Sequence, residues 1–388
     1  MKIAGIIAEY NPFHNGHAFH ALETRRATGC DWVIACMAGH FTQRGEPAAL
    51  SKWARARMAL ACGVDAVFEL PALFAVRPAD TFALGGVAIL GGLGADVLSF
   101  GCETDDMALI RALADIKETE PEAVSLRVRE KLDAGMSHAR ARGEAVGEYL
   151  GLPPETINRP NLTLGAEYVR AIRSLGLAIQ PFAVRRQGAY HDEALGHYAS
   201  ATAIRAAFAR GEEEAAFEAI PEAARLFAIP DAMHPMDDLL LYRLRSMRPE
   251  DLAALPEVGE GLENRLFRLC REHGTREALL DGLKCKRYTR ARLSRTLTHA
   301  LLGIEREMTS EIPLPPYARL VGARVGAEPL LGELKARTRI PVVTAASELK
   351  GDPCFDVECR ATDVWALLHD APEQRRAGRE YTEKFVRL

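Results

Sequence analysis

The chain holds eight cysteines, Cys30, Cys36, Cys62, Cys102, Cys270, Cys285, Cys354 and Cys359, yet no Cys-x-x-Cys pair. That spacing is what a structural zinc site uses, so none is expected. None of the eight stands beside an activating histidine, which argues against a nucleophilic thiol. Several lie in apolar segments and read as small reduced hydrophobes, the state expected in a cytoplasmic protein. No apolar run is long enough to span a bilayer, and the start lacks the basic-then-apolar order of a secretory signal. A membrane partner is therefore not expected. There is no internal repeat and no low-complexity tract. Net charge is small, −4 over 388 residues, with 26% charged and 48% hydrophobic residues. These values describe an ordinary globular protein with room for about one to three domains.

The start is the most informative stretch. An apolar run, Ile3-Ala4-Gly5-Ile6-Ile7-Ala8, passes through a Pro-bearing loop into His14-Asn15-Gly16-His17. A helical pattern follows at once. Strand, loop, two histidines and helix form the layout of a phosphate site in an α/β protein. The N-terminus of a helix offers unpaired N–H groups and partial positive charge. Gly16 permits close backbone approach, and two imidazoles add donors where charge builds on a phosphate. The plain alternative is a polar turn whose histidines cap the helix.

Short apolar runs at Lys2–Ala8, Trp32–Met37, Ala66–Leu70, Val97–Phe100 and Ile179–Val184 read as strands. Helices are expected over Gly16–Arg26, Ser51–Cys62, Leu109–Ile116, Pro121–Ala134 and Gly165–Leu175, with Ser51 as N-cap. This alternation implies an α/β fold with a parallel sheet, whose ligands bind beyond the C-terminal strand ends. After Arg210 the pattern turns helical, over Glu212–Phe227, Met236–Met247, Gly261–Glu272 and Thr289–Leu302. Past Pro313, strands at 320–325 and 340–344 and helices at 330–337 and 362–368 suggest a small α/β unit packed on the helical part. The expected division is 1–210, 211–313 and 314–388.

Further candidates lie at the ligand edge. Ser200 and Thr202 open a helix with Arg205 one turn in. They read as simple caps or, paired with the histidines, as a triphosphate clamp. Lys52 and Arg55 sit near the first turn of a helix, where cations do not favour stability, and that mismatch hints at a ligand contact. Gly101 ends the fourth strand, as a turn or as room for a base or ribose. Asn161 precedes a helix, as a cap or a contact. Arg185 and Arg186 follow the fifth strand, before Tyr190-His191-Asp192, and suit an anion or solvent. From Arg265 to Arg306, Lys and Arg are dense, with Lys284, Lys286, Arg287, Arg290, Arg292 and Arg295 beside Tyr288. Such a segment is a solvated face or a phosphate-backbone surface.

Four strings carry a resemblance. They are Glu9-Tyr10-Asn11-Pro12-Phe13-His14-Asn15-Gly16-His17, Gln43-Arg44-Gly45-Glu46-Pro47-Ala48, Gly63-Val64-Asp65-Ala66-Val67-Phe68-Glu69-Leu70-Pro71 and Lys286-Arg287-Tyr288-Thr289. With Ser200-x-Thr202-x-Ile204-Arg205, the chain resembles the nucleotidyltransferase superfamily, whose domain is Rossmann-like. Within it, the chain is similar to the bacterial tRNA(Met) cytidine acetate ligase family over nearly its whole length. The resemblance implies that ATP and acetate form acetyl-adenylate, and that the acetyl group passes to N4 of the wobble cytidine of elongator tRNA(Met). It places ATP contacts on Ile7, Ala8, Glu9, Tyr10, Asn11, Pro12, Phe13, His14, Asn15, Gly16, His17, Ala18, Phe19 and His20, and on Gly101, Asn161, Arg185 and Arg186. Ser200, Thr202 and Arg205 would hold the pyrophosphate. His14 and His17, with Lys52, would carry the catalysis. ATP would come with Mg²⁺, for which no dedicated carboxylate cluster is visible. The chain departs from the family pattern at His40, where asparagine is expected, and at Arg186-Gln187-Gly188-Ala189-Tyr190. The competing readings are a small-molecule adenylyltransferase of the same superfamily and a non-catalytic RNA- or nucleotide-binding protein. Acetate pocket, cytidine contacts and oligomeric state are not legible.

Overall fold

Strand β1 (Ile3–Ala8) buries Ile3 and Ile7 on one face and Ala4 and Ile6 on the other. A strand apolar on both sides belongs inside a parallel sheet covered on both faces. In the computed structural model, which describes residues 1–187, 196–230, 233–285 and 287–388, β1 pairs parallel with β2 (Trp32–Ala38) and β4 (Val97–Cys102). β3 (Ala66–Leu70) joins β2, and β5 (Gln180–Arg185) joins β4, both parallel. The order is β5-β4-β1-β2-β3. Connections therefore leave β1 and β4 toward opposite sides, opening a crevice beyond their C-terminal ends. The expected Tyr190-His191-Asp192, Gly188, Ala189 and Lys286 lie outside the described residues.

The strands expected beyond Pro313 form, but they do not build a unit of their own. β6 (Ala318–Ala323) pairs antiparallel with β3, and β7 (Val342–Val343) and β8 (Val386–Arg387) each pair with β6, making an eight-stranded sheet. All five residues of β3 are buried, so its outer edge needs a covering neighbour, and the wholly buried β6 supplies it.

Between β3 and β4 runs a helix, Ala79–Gly92, that the apolar pattern does not suggest. Its glycines explain both facts. They lower helix propensity, and they let the helix lie directly on the sheet. A Cβ on Gly86 would stand 2.6 Å from Ile7 Cδ1, and one on Gly5 would stand 2.7 Å from Leu90 Cδ1. The helical region has its own core, including Leu240, Leu244, Leu266 and Leu297, all fully buried. The helix expected over Glu212–Phe227 is two short ones, Glu213–Glu218 and Glu222–Arg225. Pro221, at the break, lacks the N–H a continuous helix would need. All eight cysteines are free thiols. Among the described residues, no helix is long and apolar enough to cross a membrane.

Candidate nucleotide-activating site

β1 ends at Ala8, and helix α1 (Asn15–Thr28) begins seven residues later with His14 as its N-cap. His14 Nδ1 accepts from the Gly16 amide at 3.1 Å, and His17 Nδ1 accepts from the His14 amide at 3.3 Å. The rings stack with centroids 3.7 Å apart and an angle of 22°. Gly16 is required here, since a Cβ would meet His14 Cε1 at 2.9 Å. Both Nδ1 atoms are acceptors, so in a neutral ring the proton must sit on Nε2. The reciprocal cap thus fixes two imidazoles as parallel Nε2–H donors.

The first-turn amides are not left over for a phosphate, contrary to expectation. Asn15 N donates to Ala219 O at 2.8 Å, Gly16 N to the His14 ring, and His17 N to His14 O at 2.8 Å. What the helix end offers a phosphate is its field and the two imidazole donors.

Those rings are neutral. Burial, helped by the nearby Arg186 guanidinium, lowers the His14 pKa to about 3. Burial and then His14, Arg186 and His20 push His17 well below its usual value. His20, whose Nε2 lies 2.9 Å from Ser99 Oγ, is brought to about 4 by burial and Arg186. His299, whose Nε2 lies 2.6 Å from Val76 O, is likewise lowered to about 4, chiefly by burial. Unfolded histidines titrate near pH 6.5, so between about pH 6.5 and 4 the unfolded chain binds more protons than the folded one. Stability from these groups is complete above about pH 6.5 and is lost as pH falls through that window. The urea midpoint should drop steadily on acidification from about pH 7 to 4.5; a flat profile would contradict neutral burial of these rings.

The rest of Ile7–His20 divides between support and mouth. Ile7, Tyr10 and Phe13 are buried at 8%, 2% and 0% exposure, so their side chains are core. Tyr10 packs edgewise and Phe13 at a tilt against His17, with centroids 4.9 and 5.5 Å from its ring. Tyr10 has φ +50°, a strained value that the packing around it must hold. Pro12 follows a cis peptide bond. Asn11 Oδ1 accepts from Ala49 N at 2.8 Å, and Asn15 Nδ2 donates to His197 O and Glu218 O, both at 2.9 Å. Ala8, Glu9, Asn15, Gly16, His17, Ala18, Phe19 and His20 are partly exposed.

Several predicted contacts converge on the crevice. Arg186 N donates to Cys102 O at 2.9 Å, and its stem lies over Gly101, where a Cβ would be 3.5 Å from Arg186 Cγ. Its charge reaches His14, His17 and His20, whereas Arg185 is exposed at the end of β5. Asn161 Nδ2 and Leu162 N donate to Glu103 at 2.9 Å each, so Glu103 caps that helix from the end of β4. Sequence reasoning passed over Glu103. Ser200 is the N-cap of the Ala201–Ala209 helix, accepting from Ala203 N at 3.1 Å. Arg205 Nη2 reaches Thr202 Oγ1 at 3.3 Å, and its Nη1 donates to Asn11 O at 2.6 Å. That bond ties the second motif to the histidine loop.

Two predicted ligand cations are structural instead. Helix α2 (Lys52–Ala61) begins with Lys52, which is 0% exposed and paired with Glu69, with Glu358 at 3.1 Å and with Glu380 at 2.5 Å. Burial opposes its charge, but the three carboxylates outweigh that and raise its pKa. It does not face the crevice. Arg55, also 0% exposed, donates to Glu9 O at 2.6 Å, Ala38 O at 3.0 Å, Leu50 O at 3.1 Å and Gly39 O. It satisfies carbonyls where β1 and β2 end, a demand that the helix-dipole argument does not see. His40, Glu358 and Glu380 lie within metal-ligating distance of one another, but the Lys52 ammonium already lies among them.

The basic segment is also largely spent internally. Arg265 donates to Gly282 O, Arg271 to Phe267 O, Arg292 to Glu257 O, and Arg295 to both Glu257 oxygens at 2.8 Å. Arg276 reaches Ser294 Oγ at 2.5 Å. Arg268, Arg287 and Arg290 keep their guanidiniums at the surface, in ion pairs with Glu272, Glu260 and Asp281.

A family model described as HIGH Nucleotidyl Transferase matches residues 1–380. A tRNA(Met) cytidine acetate ligase of Syntrophotalea carbinolica is 39% identical, over 98% of this chain and 94% of that protein. One from Bacillus subtilis is 36% identical, over 96% and 94%. Among solved structures, Thermotoga maritima TmcAL bound with alpha-thio ATP is similar at a TM-score of 0.89 and 29% identity, and its apo form at 0.90 and 29%. Each covers 100% of both chains.

Proposed function

Because this chain belongs to the tRNA(Met) cytidine acetate ligase family, we propose that it activates acetate on ATP and acetylates N4 of the wobble cytidine of elongator tRNA(Met). The observation that carries the chemistry is the stacked pair of neutral imidazoles, each held as an Nε2–H donor at the mouth of the β1–β4 crevice.

An acetate oxygen attacks the α-phosphorus, and the bond to the bridging oxygen breaks to release pyrophosphate. Negative charge grows on the α-phosphate oxygens and on the leaving group. His14 and His17 donate to those oxygens, and preorganised donors of this kind lower the barrier without a covalent intermediate. Arg186, across Gly101, adds positive charge on the histidine side. Ser200, Thr202 and Arg205 receive the pyrophosphate. The cytidine N4 amine then attacks the acetyl carbon, AMP leaves, and the amine proton passes to solvent. Mg²⁺ would arrive with ATP and supply positive charge at its phosphates, since among the described residues the His40–Glu358–Glu380 grouping is closed by Lys52. The surface guanidiniums of Arg268, Arg287 and Arg290 would exchange their carboxylates for tRNA phosphates, a contact that weakens with salt. An unstacked anticodon base suits such an enzyme.

ATP–pyrophosphate exchange tests the first half-reaction. Exchange should require acetate and proceed without tRNA. Exchange indifferent to acetate would sink the reading.

A further inference from the structure

The loop after β2 runs along the mouth beside the end of β1, and it is held from two directions. Gln43 N donates to Glu9 Oε1 at 2.7 Å, on the side of the histidine loop. On the other side, the Arg44 and Gly45 carbonyls dock on the Arg290–Leu302 helix. Ser294 Oγ donates to Arg44 O at 2.5 Å and Thr298 Oγ1 to Gly45 O at 2.6 Å. Gly45, at φ +73°, fits only because it lacks a side chain; a Cβ would lie 2.9 Å from Arg295 Cα. With its backbone fixed on both sides, Arg44 still presents an exposed side chain. The backbone that carries Arg44 is therefore in place before a ligand arrives, which removes that part of the ordering cost of binding through it.

Four guanidiniums border the mouth, and their placements differ. Arg55 is buried beneath it among carbonyls. Arg205 is tethered to Asn11 O and Thr202. Arg186 lies over Gly101, and its charge acts on the histidine rings. Arg44 acts on Glu9 instead: burial raises the Glu9 pKa, and Arg44 is the foremost of the three arginines opposing that rise. A guanidinium has five donors in a planar fork and can serve two carboxylates. We propose that Arg44 receives the carboxylate of the acyl substrate, on the Glu9 side of the histidine pair, with the loop's docking on the Arg290–Leu302 helix holding it in place. This rests on the acetate-activating reading above. The ligand is a short monocarboxylate, held apart from the triphosphate grip of Arg186 and Arg205. The helical region thereby also positions a substrate-binding residue of the first half-reaction.

The test is acetate-dependent ATP–pyrophosphate exchange with full-length wild type, Arg44→Ala and Arg44→Lys. Arg44 is exposed, so both variants should keep the wild-type circular dichroism spectrum. For Arg44→Ala the KM for acetate should rise about 10- to 100-fold, the worth of a charge-assisted hydrogen bond, with the KM for ATP within about twofold. Arg44→Lys should recover part of the acetate affinity. An unchanged acetate KM, with only kcat or the ATP KM altered, would overturn the assignment while leaving the acetate reaction intact. Wild type whose exchange ignores acetate would overturn both.

Discussion

Replacing His17 with alanine is expected to lower acetate-dependent exchange by about 100- to 1,000-fold, the cost typical of removing one preorganised donor from a developing oxyanion. The spacing His-x-Gly-His treats its two histidines alike, but the structure separates them. His14 is 5% exposed and caps α1, whereas His17 is partly open to the crevice. Removing His14 takes away the cap of α1 and would mix a folding defect with a catalytic one. His17→Ala loses one weaker backbone bond, from His14 N at 3.3 Å, so folding should largely survive. His17→Asn, which retains a short polar group, should remain at least about 10-fold impaired if the Nε2–H position matters. Exchange within about threefold of wild type for the alanine variant would remove the imidazole pair from the mechanism.

Replacing Lys52 with methionine should destabilise the fold by about 3–5 kcal/mol, the range for breaking a buried ion pair from one side. Glu69, Glu358 and Glu380 converge on Lys52, and Arg319 meets Glu69 at 3.0 Å and Glu380 besides. These groups lie on β3, α2, β6 and the C-terminal helices, so the cluster bolts the last segment onto the sheet. Burial and the neighbouring Glu69 raise the Glu358 pKa. Of the three carboxylates, Glu358 is thus the one whose charge is costliest to keep. Without Lys52, the carboxylates face Arg319 alone. A second change, Glu358→Gln, should then restore at least about 1 kcal/mol, because contacting charges do not act additively. Urea unfolding of the single and double variants measures both. A Lys52→Met protein as stable as wild type, with lost exchange, would return Lys52 to the catalytic role first expected of it.

That reversal marks where sequence reading ran out. The five parallel strands were legible because each is a short apolar run between turn signals, and their alternation with helices implied the ligand edge. The strand, Pro loop and helix around His14 and His17 were legible from their order, and the plainer of the two readings, histidines that cap the helix, is present in the reciprocal cap. Lys52 and Arg55 were misassigned because a cation in a first helical turn is unfavourable by itself. The sequence does not reveal that carboxylates more than 300 residues on, Glu358 and Glu380, neutralise Lys52. The Ala79–Gly92 helix was hidden by the glycines that let it lie on β1. The C-terminal strands were seen, but their partner was not, since periodicity tells which face is apolar and not which edge it meets. The basic segment looked like a polyanion surface, but its count of arginines did not show how many serve carbonyls of the same region.

The most direct measurement is mass spectrometry of elongator tRNA(Met) incubated with the protein, ATP and acetate. The account predicts N4-acetylcytidine at the wobble position, formed only when both ATP and acetate are present and absent with His17→Ala. Unmodified cytidine at that position, from folded protein that binds ATP, would contradict it.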